Sequence, residues 1–171
     1  VLMEYRHQEA IDFYTKRMNL PSEETYQAVA PWEKILATGY NKDKTVREIP
    51  YDELEGMQCI GAIDYAQVTD FASCGLLFKH EGLRYWIEHT FVCHLALKVE
   101  SRPIKFPVQE MADRGLITII REDSINPEYV AQWFLEQAKK YHIIDIVADS
   151  YRISLLESTF QTHGLPLNWV R

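Results

Sequence analysis

The sequence predicts an α/β fold: a mixed sheet in which three antiparallel strands are followed by parallel ones, with helices on its flanks. Three observations predict it. Between Gln58 and Phe91 the β-rich runs are separated by short breaks and no helical period intervenes. Beyond Val108 helical and strand patterns alternate, which implies crossovers and hence parallel pairing. Two apolar runs, Cys59 to Ile63 and Ile143 to Ala148, each end in an aspartate.

The elements follow in order. Residues 4–18 carry Tyr5, Ala10, Ile11, Phe13, Tyr14 and Met18 at mixed helical spacing, so a helix is expected. Residues 19–57 are irregular and acidic, broken by Pro21, Pro31 and Pro50, with one short helix around Trp32, Ile35 and Leu36. The expected organisation is an N-terminal extension, 1–57, packing on a core of 58–171. In the core, Cys59 to Asp64 and Ala72 to Lys79 read as strands, and His80-Glu81-Gly82 as a turn. Leu83 to Phe91 is the third strand of a meander. Residues 93–107 read as a loop broken by Pro103 and Pro107; Val108 to Arg114 reads as a short helix closed by Gly115. Leu116 to Ile120 is a short strand. Asn126 is placed to cap a helix that has Pro127 in its first turn, presents Val130, Phe134, Ala138 and Tyr141 on one face, and runs to about His142. Ile143 to Asp149 is a buried strand, Ile153 to Thr162 a helix, and Leu165 to Val170 the start of another strand. The ribonuclease H-like fold has this order.

The 171 residues suffice for a substantial core, and 47% hydrophobic with 25% charged is an ordinary globular balance. The longest apolar runs are too short to span a membrane. Cys59, Cys74 and Cys93 are odd in number and lack CxxC spacing, so they read as small hydrophobes in a reducing compartment. A net charge of -7 excludes a generic nucleic-acid coat but not a metal site built of carboxylates, where the cation reverses the local field. One stretch leans basic, through Lys98, Arg102, Lys105, Arg114 and Arg121, and reads equally as a solvated or a nucleic-acid-facing segment. None of the six histidines has HxxxH or HExxH spacing. Trp32, Trp86, Trp133 and Trp169 read as core or core-edge residues, with Tyr85 and Trp86 on opposite faces of their strand.

Asp64 and Asp149 carry the chemistry. If their strands are parallel neighbours, about 4.8 Å apart, both acids lie at one sheet edge. There they can share two divalent ions, with Mg²⁺ or Mn²⁺ preferring such oxygen ligands. One ion would lower the pKa of a water to give a hydroxide, and the other would stabilise a departing 3′ oxygen. A strand-terminal Asp is also a common turn or cap residue. Asp145 competes with Asp149 but lies toward the beginning of its strand.

Several segments resemble one family, the large subunits of tailed-bacteriophage terminases. Gly61 to Ser73 resembles the first-strand motif, a metal-binding Asp at the strand end with a second Asp six residues on, here Asp64 and Asp70. Met111-Ala112-Asp113-Arg114-Gly115-Leu116-Ile117 is similar to the segment before the family's helix, and Asp123 to Tyr129 to the start of that helix. Ile146 to Arg152 resembles the strand with the second catalytic Asp, Asp149; Phe13 to Asn19 resembles the link after the packaging ATPase. The resemblance implies an endonuclease domain that cleaves concatemeric viral double-stranded DNA during genome packaging. It implies catalytic Asp64 and Asp149, metal ligands Asp64, Asp149 and Asp70, and two Mg²⁺ or Mn²⁺ ions. It further implies, as partners, duplex DNA, a packaging ATPase domain, the small terminase subunit and the portal protein, in the cytoplasm of an infected bacterial host. Asp70 remains open as a ligand, a residue that orients a water, or a turn cap. Arg152 reads as a phosphate contact or a surface residue at a helix start.

Two departures qualify the resemblance. No GxxxxGK[ST] pattern is present, so the ATPase is not in this sequence. The family's third acid lies well past the second, whereas the sequence runs 22 residues past Asp149 and Glu157 does not match. A core truncated at its C-terminus, holding metal weakly and cutting poorly if at all, is the expectation. Three other functions compete. A transposase- or resolvase-type enzyme would share the fold. A non-catalytic portal-docking domain need not bind Mn²⁺ at Asp64. An actin-like or sugar-kinase-like phosphotransferase would place glycines after the first acid, where Tyr65-Ala66-Gln67 stands.

Overall fold

A computed structural model describes residues 30–41, 43–99, 104, 106–150 and 153–170, with the backbone alone for Trp32, Trp169 and Val170. The helix expected over 4–18 and Arg152 lie outside the described residues. The chain divides into two units, at Glu48 and Ile49, rather than at 57 and 58.

In the first unit, α1 (Trp32–Gly39) follows Pro31. A β-bridge between Tyr40 and Val46 closes the turn beyond it. There Asp43 Oδ1 accepts from the Thr45 amide at 3.0 Å and from its hydroxyl at 2.6 Å.

The second unit opens with α2 (Tyr51–Leu54), whose Leu54 is fully buried in the main core. Six strands then form one sheet: β1 (Gln58–Asp64), β2 (Phe71–His80), β3 (Leu83–Cys93), β4 (Ile117–Ile120), β5 (His142–Asp149) and β6 (Asn168–Val170). Their order is β4-β3-β2-β1-β5-β6. The first three pair antiparallel, and β3·β4, β1·β5 and β5·β6 pair parallel. This is the mixed sheet that the sequence predicts. The β2–β3 hairpin turns on Glu81 (φ 49) and Gly82 (φ 78), the two positive φ values of the tight turn that matches strand twist.

Alternation along the strands sorts the faces. Cys59, Gly61 and Ile63 of β1, Cys74, Leu76 and Phe78 of β2, and Ile146 and Ala148 of β5 are buried on one side. Against that side lie α4 (Pro127–Ala138) and α5 (Ile153–Thr162), through Val130, Phe134, Leu156 and Phe160. The Phe134 and Phe160 rings meet edge-on at 6.0 Å. The cap and first-turn proline of α4 stand as expected: Asn126 Oδ1 accepts from the Glu128 amide at 3.0 Å, and Pro127 opens the helix. The helix ends at Ala138, short of His142, and Tyr141 joins the core from the turn that follows.

The opposite side is only partly covered. At its β3–β4 end, α3 (Val108–Asp113) and a 3-10 turn (Ala96–Lys98) bury Val92, Ala96 and Val108 against Phe71, Ile117 and Ile119. That turn lies within the span expected to be a loop. Toward the centre of this side Ile60, Leu77, Trp86 and Ile144 are exposed. Trp86 is thus neither core nor core-edge; Trp133 packs against the core as expected. All three cysteines are free and buried, and burial pushes the Cys59 thiol up to about 11. Among the described residues no helix is long and apolar enough to cross a membrane.

Candidate functional site

Parallel pairing sets Ile63 of β1 beside Ala148 of β5. The next residues, Asp64 and Asp149, therefore stand side by side at the carboxyl ends of two adjacent strands. Strand spacing puts their backbones about 5 Å apart. They line one cavity of about 210 Å³ with Ile63, Tyr65, Ala66, Asp70, Phe71, Ala148 and Leu156. Both carboxylates are exposed while Ile63 and Ala148 just beneath them are buried. The acids thus sit at a wet rim over an apolar floor.

The loop after Asp64 is held at several points. Tyr65 and Ala66 are buried, and the Tyr65 hydroxyl donates to the carbonyl of Ile125. The Ile125 amide donates back to the Gln67 carbonyl at 2.7 Å. Ile125 is itself fully buried next to the cap of α4. These bonds tie the Asp64 loop to the start of that helix. On the other side Asp149 Oδ1 accepts from the Ser150 hydroxyl at 3.4 Å.

The structure brings Asp70 to the same cavity, on the loop that enters β2, and its Oδ1 accepts from the Phe71 amide at 2.9 Å. Asp145 is kept away. It pairs in register with Ile60, four residues below the acid end, and accepts from the Ile146 amide and from Asn168 Nδ2 at 2.7 Å. Glu122 accepts a hydrogen bond from the Tyr129 hydroxyl beside α4. Among the described residues no three His, Cys, Asp or Glu side chains converge as a complete metal-binding set. The donor chemistry of Asp64 and Asp149, two hard carboxylates at a solvent-open rim, nonetheless fits Mg²⁺ or Mn²⁺. Sequence reasoning missed the clamp through Tyr65 and Ile125 and the Leu156 wall. The Tyr65–Ile125 bond joins residues 60 positions apart and leaves no local pattern.

No protein-family model matches the sequence, and no curated protein matches it. Among solved structures, the crystal structure of the HK97 bacteriophage large terminase is similar, with a TM-score of 0.56 at 14% sequence identity. The similarity covers 70% of this chain and 26% of that one, so this chain spans about a quarter of the terminase's length. Likeness at that identity is likeness of fold. The fold is ribonuclease H-like and terminase-like, with the mixed sheet and flanking helices described above.

Proposed function

We propose that this chain is the nuclease domain of a tailed-phage terminase large subunit, a metal-dependent endonuclease that cuts concatemeric viral duplex DNA during genome packaging. The observation that carries the reading is the pairing of Asp64 with Asp149 at the carboxyl ends of adjacent parallel strands, opening on one cavity. In α/β folds the crevice beyond the carboxyl ends of the strands is where ligands bind. The terminase-like fold supports the same reading.

In this reading Asp64 and Asp149 hold Mg²⁺ or Mn²⁺, with Asp70 as a further ligand or a residue that orients water. When bound, such ions supply Lewis-acid stabilisation of charge at the scissile phosphate and acidify water. The Tyr65 and Gln67 bonds to Ile125 hold Asp64 in place, and that rigidity favours a fixed ligand geometry. The partners proposed with this activity are duplex DNA, a packaging ATPase domain, the small terminase subunit and the portal, in the cytoplasm of the infected host.

The test combines Mn²⁺ titration by calorimetry with plasmid nicking, on the wild type, Asp64→Asn and Asp149→Asn. Mn²⁺ binding that both substitutions remove, with any nicking lost alongside, is the expected result. A wild type that neither binds Mn²⁺ nor nicks would sink the catalytic reading and favour a docking domain.

A further inference from the structure

The side of the sheet that carries the two acids continues away from them as an open, patterned surface. By alternation Asp64 shares its side with Ile60 and Ala62, and Asp149 shares its side with Val147 and Asp145. On β2 the same side presents Ser73, Gly75, Leu77 and Lys79, and on β3 it presents Arg84, Trp86, Glu88 and Thr90. Three features stand out along it. Trp86 is 42% exposed, yet its indole lies flat on the sheet: a Cβ added at Gly75 would fall 2.2 Å from Trp86 Cζ2. The ring is pinned there by its Nε1, which donates to Glu88 Oε2 at 2.9 Å. Beyond it Lys79 and Arg84 are direct cross-strand partners, both exposed, and line a hollow with Ile60, Leu77 and Ile144. Ser73 is the register partner of Asp64, so the cationic pair lies six residues along β2, about 20 Å from the acids.

A glycine that lets a large aromatic lie flat and accessible makes a stacking surface, because an aromatic face accepts any base. A cation pair one step beyond it complements a phosphate backbone. Two carboxylates also stand on this face: Glu88, between Trp86 and the acid end, accepts from the indole N–H, and Asp145, the register partner of Ile60, accepts from Asn168 Nδ2 and the Ile146 amide. We propose that this open sheet face receives an unpaired nucleic-acid strand. One base stacks on Trp86, the flanking phosphates meet Lys79 and Arg84, and the strand is led toward Asp64 and Asp149. The proposal rests on the nuclease reading for its direction along the sheet, but the binding itself requires no metal. Trp86, Lys79 and Arg84 are positioning residues.

The experiment is fluorescence anisotropy of a short fluorescein-labelled oligothymidylate, and of a labelled hairpin duplex, in EDTA over a salt series. The proteins are the wild type, Trp86→Ala, Trp86→Phe and the double variant Lys79→Ala/Arg84→Ala, each checked for folding by its thermal melt. Trp86→Ala is expected to weaken oligothymidylate binding about tenfold, and Trp86→Phe to restore most of it. The double variant is expected to reduce the slope of log affinity against log salt by about 1.4, the value for two single-strand phosphate contacts. Unchanged affinity in Trp86→Ala, or an equal loss for the hairpin duplex, would overturn the proposal. So would a change in oligomeric state on Trp86→Ala with oligonucleotide affinity intact, which would assign the face to protein contact. Because EDTA excludes the metal, failure here is distinct from failure of Mn²⁺ binding at Asp64.

Discussion

Two glycines on neighbouring strands show how single residues shape the two sides of the sheet. Gly61 faces the helices, where an added Cβ would fall 2.7 Å from Phe134 Cε1 and 2.9 Å from Ile146 Cγ1, both on fully buried side chains. Gly75 faces the open side, and its neighbour is the half-exposed Trp86 ring. The physical difference is whether the neighbour can move. Phe134 is locked between Trp133 and Phe160, with ring centroids at 5.0 and 6.0 Å. Overpacking of that kind costs about 1–3 kcal/mol. Gly61→Ala is therefore expected to lower the urea midpoint by a corresponding amount. Gly75→Ala is expected to cost less, because the indole can swing outward, and to change the tryptophan emission instead. Equal stability losses in the two variants would show that the Trp86 ring is as confined as Phe134.

At the scale of elements, α4 and the β3–β4 pair each rest on a polar contact that can be removed singly. The side chain of Asn126 satisfies the Glu128 amide at the start of α4, and the segment just before it anchors the Asp64 loop through Ile125. Asn126→Ala is expected to destabilise the chain by about 1 kcal/mol, measurable as a shift in denaturant midpoint at unchanged slope. On β3, the His89 imidazole faces Thr118 of β4, Nε2 to Oγ1 at 2.8 Å, with Phe91 edge-on at 4.9 Å. Burial holds its pKa below the ordinary 6.5. Below 6.5 the unfolded chain therefore binds a proton that the folded chain refuses. The stability tied to His89 is complete above pH 6.5 and is lost as pH falls toward the lowered folded value. His89→Gln keeps a partner for Thr118 and removes the titration. The gap in stability between wild type and variant is expected to move in the variant's favour as pH drops through 6.5. A gap independent of pH would exclude His89 as the source of any acid sensitivity.

Over the whole molecule, legibility followed the range of the interactions. The strands and helices of the second unit were readable because their cues are local: the Asn126-Pro127 start of α4, the Glu81-Gly82 turn, and the apolar runs that end in Asp64 and Asp149. The side-by-side placement of those acids was readable only as a conditional, since β1 and β5 meet across the intervening β2, β3 and β4. The exposure of Trp86 was not legible, because alternation tells which side a residue takes but not which side a distant helix covers. The same long-range pairing has an energetic consequence. Without cations, two carboxylates on adjacent strands repel, and like charges directly opposite one another destabilise a sheet. Asp64→Asn relieves that repulsion, so in EDTA the variant is expected to melt at a higher temperature than the wild type. With Mn²⁺ the order reverses for the wild type alone: a ligand at about a hundred times its dissociation constant adds about 2.7 kcal/mol, which raises Tm by roughly 5–10 °C in a chain of this size. Thermal melts of the two proteins with and without Mn²⁺ read both effects at once. If Asp64→Asn is less stable than wild type in EDTA and equally stabilised by Mn²⁺, Asp64 is a structural cap and the acid pair is not a metal site.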